Sequence, residues 1–138
     1  MTETEYSAQV LILLVEDNEM NRDMLSRRLR KRGYEVVLAE DAEKALEYLS
    51  KTLPDIVLMD ISLPGMDGLE ATRRIRTFAS RNELPIIALT AHATIMDREV
   101  AMQAGCNAFE TKPIKLANVL LKMSDCLAAR TRFREQNL

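Results

Sequence analysis

Residues 55–60 read DIVLMD, and they run on through ISLPGMDG to residue 68. Four apolar residues stand in an unbroken row and a carboxylate, Asp60, closes it. A short continuous apolar run fits a parallel strand covered on both faces, because no alternate position is left for solvent. Two more such runs flank it, VLILLV at 10–15 and IIAL at 86–89. With residues 34–39 and a short piece at 108–110, five strands are expected, over 9–15, 34–39, 55–59, 85–89 and 108–110.

Helical periodicity fills the intervals. Met20, Met24, Leu25 and Leu29 mark a first helix, and Ala42, Ala45, Leu46 and Leu49 a second. Leu69, Thr72, Ile75 and Ala79 mark a third, and Met96, Val100, Ala101 and Ala104 a fourth. Leu116, Val119, Leu120, Met123 and Leu127 give the fifth. Gly33 and Gly105 stand where a helix C-cap favours positive φ. Five strand–helix units in alternation predict an α/β, doubly wound parallel sheet with helices on both faces. The domain is expected over 9–128, after a flexible N-terminus at 1–8 and before a polar, frayed tail at 129–138.

Bulk properties narrow the function. The chain has 138 residues, 47% hydrophobic and 29% charged, which suits one globular domain with its own core. A net charge of −2 gives no general electrostatic case for nucleic acid. No apolar run is long enough to span a bilayer, and the polar N-terminus is no secretory signal, so no membrane insertion is expected. Cys106 and Cys126 have no metal-ligand spacing and read as packing thiols. The cytoplasm is the expected compartment.

In open α/β sheets, ligands bind outside the carboxyl ends of the strands. The first strand ends there in Glu16-Asp17, the third in Asp60, the fourth in Thr90, and the fifth runs into Lys112. Any one of these has a bland explanation: a solvated acid, an Asp17 helix cap, a strand-end hydroxyl, a surface lysine. Their appearance together on one rim is what points to a site. Clustered carboxylates repel unless a cation sits among them. Oxygen donors in such a cleft suit Mg²⁺, with three negative charges facing +2 from the metal and +1 from Lys112.

At this point LVEDNEMNRDML (14–25), IVLMDISLPGMDG (56–68), IIALTAHA (86–93) and ETKPI (110–114) together resemble the receiver domain of two-component response regulators, in the single-domain form of the chemotaxis receivers. The resemblance covers about residues 10–127. It implies a flavodoxin-like fold with strand order 2-1-3-4-5. It implies that Asp60 is the phosphoacceptor, and that Glu16, Asp17, Asp60 and the backbone carbonyl of Ser62 hold Mg²⁺, with Mn²⁺ also acceptable. It makes Thr90, Lys112 and Phe109 the switch residues, with a cis bond between Lys112 and Pro113. Ser62 and His92, each two residues beyond a key residue, would modulate attack by water. The donor would be a histidine kinase or a histidine phosphotransfer protein. The output would be a changed surface of the fourth helix, fifth strand and fifth helix, read by a downstream protein target. Such a module phosphorylates itself and slowly loses the group, and is not a turnover enzyme.

The residues are compatible with those roles. A carboxylate is a competent nucleophile, and phosphoryl transfer needs mainly positioning and charge neutralisation. Contact of Thr90 with the phosphoryl group would leave room for Phe109 to turn inward. Glu16 stands where aspartate is frequent, and Phe109 lacks a phenol hydroxyl. The acidic pair Glu40-Asp41 lies on an edge strand in this order, about 10 Å from the third, so Asp41 reads as a helix cap. His92 follows a strand and sits on no helix, so it is not the donor histidine. Arg22, Arg27, Arg28, Arg30, Lys31 and Arg32 on the first helix form either a solvated basic face or a docking surface for the donor. The eight methionines read as packing. Two alternatives stand beside the receiver: a Mg²⁺-dependent phosphohydrolase domain, disfavoured because Asp60 is followed by Ile61-Ser62, and an inert receiver-like scaffold. The chain stops after the fifth helix, so signalling would run by protein contact, or the chain is one domain of a longer product.

Overall fold

The computed structural model describes residues 10–92 and 94–138. The reading of residues 1–8 as flexible lies outside these. The strands are β1 (Leu11–Val15), β2 (Glu35–Ala39), β3 (Ile56–Asp60), β4 (Ile86–Thr90) and β5 (Ala108–Thr111). The helices are α1 (Glu19–Lys31), α2 (Ala42–Leu49), α3 (Gly68–Ile75), α4 (Ile95–Ala104) and α5 (Leu116–Gln136). All pairings are parallel and the order is β2-β1-β3-β4-β5, as expected.

The unbroken apolar runs are explained by two cores that divide each strand residue by residue. Leu13, Val15, Val57, Met59, Ile86 and Ala88 point to the face covered by α2, α3 and α4. Ile12, Leu14, Ile56, Leu58, Ile87 and Leu89 point to the face covered by α1 and α5. Every residue of β3 and β4 is buried, so the two central strands have no solvent side.

Local sequence sets the helix ends. Asn18, Asp41, Asp67 and Thr94 cap α1 to α4 through side-chain oxygens. The cap of α1 is therefore Asn18, which leaves Asp17 outside that duty, while Asp41 caps α2 as expected. Gly33 and Gly105 have φ of +91° and +119°, the left-handed conformation their positions predict.

Three expectations are corrected. The stripe assigned to α1 splits: Leu29 and Ser26 are buried, whereas Met20 is 76% and Met24 44% exposed. On α4, Met96 is 73% and Val100 38% exposed, and the buried contacts are Ala101 and Ala104. The core contacts are Leu29 and Ser26 on α1 and Ala101 and Ala104 on α4, so Met20, Met24 and Met96 are not packing residues. The polar stretch 129–138 is not frayed: α5 continues to Gln136, and Arg130 is buried. Its Nη1 lies 2.9 Å from both the Asp55 carbonyl and Asp55 Oδ1, while Asp55 Oδ2 accepts from the Leu11 N–H at 2.8 Å. The last turns of α5 are thus tied to the start of β3, at the sheet end opposite Asp60. Neither cysteine forms a disulfide; Cys106 is buried and Cys126 half-buried.

Candidate functional site

The carboxyl ends of β1, β3, β4 and β5 bring together the residues expected there. One carboxylate oxygen from each of Glu16, Asp17 and Asp60 lies within 4.8 Å of the others, with Glu16 and Asp60 buried and Asp17 exposed. Asp60 is the last residue of β3 and is 1% exposed. Its Oδ1 accepts from the Ser62 N–H at 3.0 Å, and its Oδ2 lies 3.2 Å from Lys112 Nζ. Lys112 also donates to Glu16 Oε1 at 3.1 Å, while Glu16 Oε2 accepts from the Asn18 N–H at 3.1 Å. The ammonium therefore bridges the two buried acids. The bond between Lys112 and Pro113 is cis.

Charge in this cluster is set by burial and pairing together. Burial raises the Glu16 carboxyl above its usual range, and the Asp60 charge adds to that, against the lowering from the Asn18 N–H and Lys112. For Lys112 burial pulls the other way, yet its bond to Glu16 and the charges of Asp60 and Glu16 outweigh it, and the ammonium is held above its ordinary value. Both groups are thus shifted upward, for different reasons: desolvation outweighs pairing at Glu16, and pairing outweighs desolvation at Lys112. A pocket in which a buried carboxylate is still disfavoured as an anion has room for more positive charge. Three carboxylate oxygens are also the donor set that a hard divalent cation takes.

Among the described residues, neither the Thr90 hydroxyl nor Phe109 is bonded to the acids. The Thr90 hydroxyl oxygen accepts from the His92 N–H at 3.1 Å, which leaves its proton to donate elsewhere, and Thr90 is 4% exposed. His92 itself is exposed. Phe109 is already 8% exposed, in the same core as Ala88 and Ala101, so little apolar surface remains for an inward turn to bury. Its carbonyl accepts from Lys122 Nζ at 2.5 Å, and the same ammonium pairs with Glu110 Oε1 at 2.5 Å, joining β5 to α5.

The basic residues of α1 separate into different duties. Arg27 pairs with Asp23 at the surface, at 3.2 Å. Arg30 donates to the Val36 carbonyl at 3.0 Å. Arg22 donates to the carbonyls of Glu16 and Asp17 at 2.9 and 3.3 Å. Arg28 lines a groove of about 560 Å³ that opens beside Glu16 and Lys112, with Met24, Leu25, Pro113 and Ile114 on its walls. Arg22 and Gly68 are the site residues that sequence reasoning missed. A Cβ placed on Gly68 would lie 2.2 Å from the Asp60 carbonyl oxygen. Only the bare glycine lets α3 start against the loop that carries Asp60 and Ser62.

Known proteins share this fold and this sequence pattern. The family model described as the response regulator receiver domain matches residues 12–124. Response regulator MprA of Mycolicibacterium vanbaalenii is 36% identical over 122 residues, 88% of this chain and 52% of that protein, so the chain spans about half of that relative's length. The receiver domain of sensor histidine kinase PA1611 from Pseudomonas aeruginosa, solved with a magnesium ion coordinated in its active site cleft, is 40% identical with a TM-score of 0.79 over 87% of this chain and 98% of that one. The receiver domain of Ssk1 from Saccharomyces cerevisiae, crystallised with the histidine phosphotransfer protein Ypd1, is 32% identical with a TM-score of 0.80 over 88% and 92% of the two chains.

Proposed function

The chain belongs to the response regulator receiver domain family, and from that premise we propose that it accepts a phosphoryl group on Asp60 and relays the change to a protein partner. The observation that carries the reading is the buried Asp60 carboxylate at the end of β3, bridged to Glu16 by Lys112 and within 4.8 Å of a third acid. Asp60 is the nucleophile: one carboxylate oxygen forms a bond to phosphorus, the donor's N–P bond breaks, and the electron pair stays on the donor imidazole. Glu16, Asp17, Asp60 and the Ser62 carbonyl would hold Mg²⁺, or Mn²⁺, which when bound neutralises charge on the transferring group. Lys112 supplies a mobile cation that can leave Glu16 for the phosphoryl oxygens. The Thr90 proton is the donor that meets the new anion, and Ser62 and His92 flank it.

The donor is a phosphohistidine on a histidine kinase or a phosphotransfer protein. That reading is supported by the phosphotransfer protein bound to the Ssk1 relative and by the groove walled by Met24, Leu25, Pro113 and Ile114. Turnover is not its task, because the aspartyl phosphate itself is the signal. Among the described residues no helix is long and apolar enough to cross a membrane. We place the domain in the cytoplasm, where it can meet such donors.

The test is intact mass after incubation with acetyl phosphate, with Mg²⁺ and with EDTA, repeated with a phosphorylated histidine phosphotransfer domain as donor. One phosphoryl group gained only with the metal supports the proposal. No gain, or a gain indifferent to EDTA, overturns it.

A further inference from the structure

We infer that Arg22 is a positioning residue for the acidic pair, holding the main chain of Glu16 and Asp17 so that their carboxylates converge with Asp60 before any cation arrives. The inference rests on the reading that this cluster takes a divalent cation. Its structural basis is the choice of partner. Among the described residues, the Arg22 guanidinium bonds the backbone carbonyls of both acids, at 2.9 and 3.3 Å, and pairs with neither carboxylate. The guanidinium grips the chain that carries two of the three acids. Both carboxylates are thereby left facing the pocket.

Arg22 is well placed for this. Its N–H donates to the Asn18 carbonyl at 2.9 Å, so its stem is rooted in α1 and cannot drift with the loop. Glu16 has further anchors in Lys112 and the Asn18 N–H. Asp17 is exposed, and Arg22 is the group that ties its main chain to α1. Removing Arg22 therefore frees Asp17 most. Residues that orient metal ligands in this way are worth about 10-fold or more in metal affinity.

Mg²⁺ titration by calorimetry on the full chain decides the matter, comparing wild type with Arg22→Ala, Arg22→Lys and Arg27→Ala. Arg22→Ala should bind about 10-fold more weakly and Arg22→Lys should fall between, since an ammonium can reach one carbonyl. Arg27→Ala, whose partner is surface Asp23, should match wild type. Phosphoryl uptake from acetyl phosphate by Arg22→Ala should fall at low Mg²⁺ and recover at saturating Mg²⁺, a split that general loss of fold would not produce. Wild-type affinity in Arg22→Ala, or lost uptake that saturating Mg²⁺ does not restore, overturns the inference. If Arg22→Ala does not fold, wild-type affinity in Arg22→Lys overturns it and weakened affinity supports it. A wild-type protein that binds Mg²⁺ but takes up no phosphoryl group refutes the phosphoacceptor reading and leaves the Arg22 titration to stand or fall by itself.

Discussion

Gly68 closes on Asp60 so tightly that a Cβ at Gly68 would lie 2.2 Å from the Asp60 carbonyl oxygen and 2.9 Å from the Cα of Ile61. Both obstacles are main chain, so neither can swing aside as a side chain would. Gly68→Ala must push the β3–α3 loop away from α3. Overpacking of this kind costs about 1–3 kcal/mol, and a shift of the nucleophile by about 1 Å can cost 10²-fold in rate. A lowered Tm together with uptake from acetyl phosphate slowed by about 10-fold or more is the expected outcome. A variant with wild-type Tm and rate would show that the loop is not held by this contact.

Lys112→Arg should separate chemistry from signalling. The ammonium fits between Glu16 Oε1 and Asp60 Oδ2 at 3.1 and 3.2 Å as a compact charge. A planar guanidinium is wider and favours bidentate contacts. Some phosphorylation should persist while partner regulation is lost. Full regulation by Lys112→Arg, read as phosphorylation-dependent partner binding, would remove Lys112 from the coupling.

Arg130→Met tests the tie between α5 and β3. It removes two contacts at 2.9 Å to Asp55 and leaves that carboxylate with the Leu11 N–H. Asp55 is partly exposed, so water offsets part of the loss, and about 1–2 kcal/mol is expected. Thermal unfolding should show a Tm lower by several degrees, with faster amide exchange in 129–136. An unchanged Tm and unchanged exchange would mean that the ion pair does not hold the end of α5.

Beryllofluoride, a phosphoryl mimic, should change amide exchange in α4, β5 and α5 more than in α2. Thr90 sits at the end of β4 and pairs in register with Thr111 of β5. Complete switching needs about 5.5 kcal/mol of preference between states, whereas one charge-assisted hydroxyl bond supplies about 1.5–3 kcal/mol. Phe109 is already buried and adds little, so a partial shift that the partner completes is expected. Exchange changes confined to 42–50 would refute this route.

Much of this architecture can be read from residue order alone, for a physical reason. β3 and β4 are apolar at every inner position because both faces are covered, and the acids stand out as the first polar residues after β1 and at the end of β3. Helix faces are less legible. Of the apolar stripes on α1 and α4, Met20, Met24, Met96 and Val100 face out, while Leu29, Ala101 and Ala104 are buried as their spacing predicts and the polar Ser26 is buried beside them. The end of α5 is hidden because its partner, Asp55, lies 75 residues away in sequence. Arg22 and Gly68 are hidden for a related reason: both act on backbone atoms, and a carbonyl leaves no mark in residue type. The position of Phe109 can be read from the motif around it, but not that its ring is already packed.

The central claim is that Asp60 carries the phosphoryl group, and mapping the modified peptide after incubation with acetyl phosphate and Mg²⁺ tests it most directly. The account predicts label on Asp60 alone in the wild type, and none in Asp60→Asn, which keeps the shape and loses the nucleophile. Label on Ser62, Thr90 or His92 in the wild type, or undiminished uptake by Asp60→Asn, would contradict it.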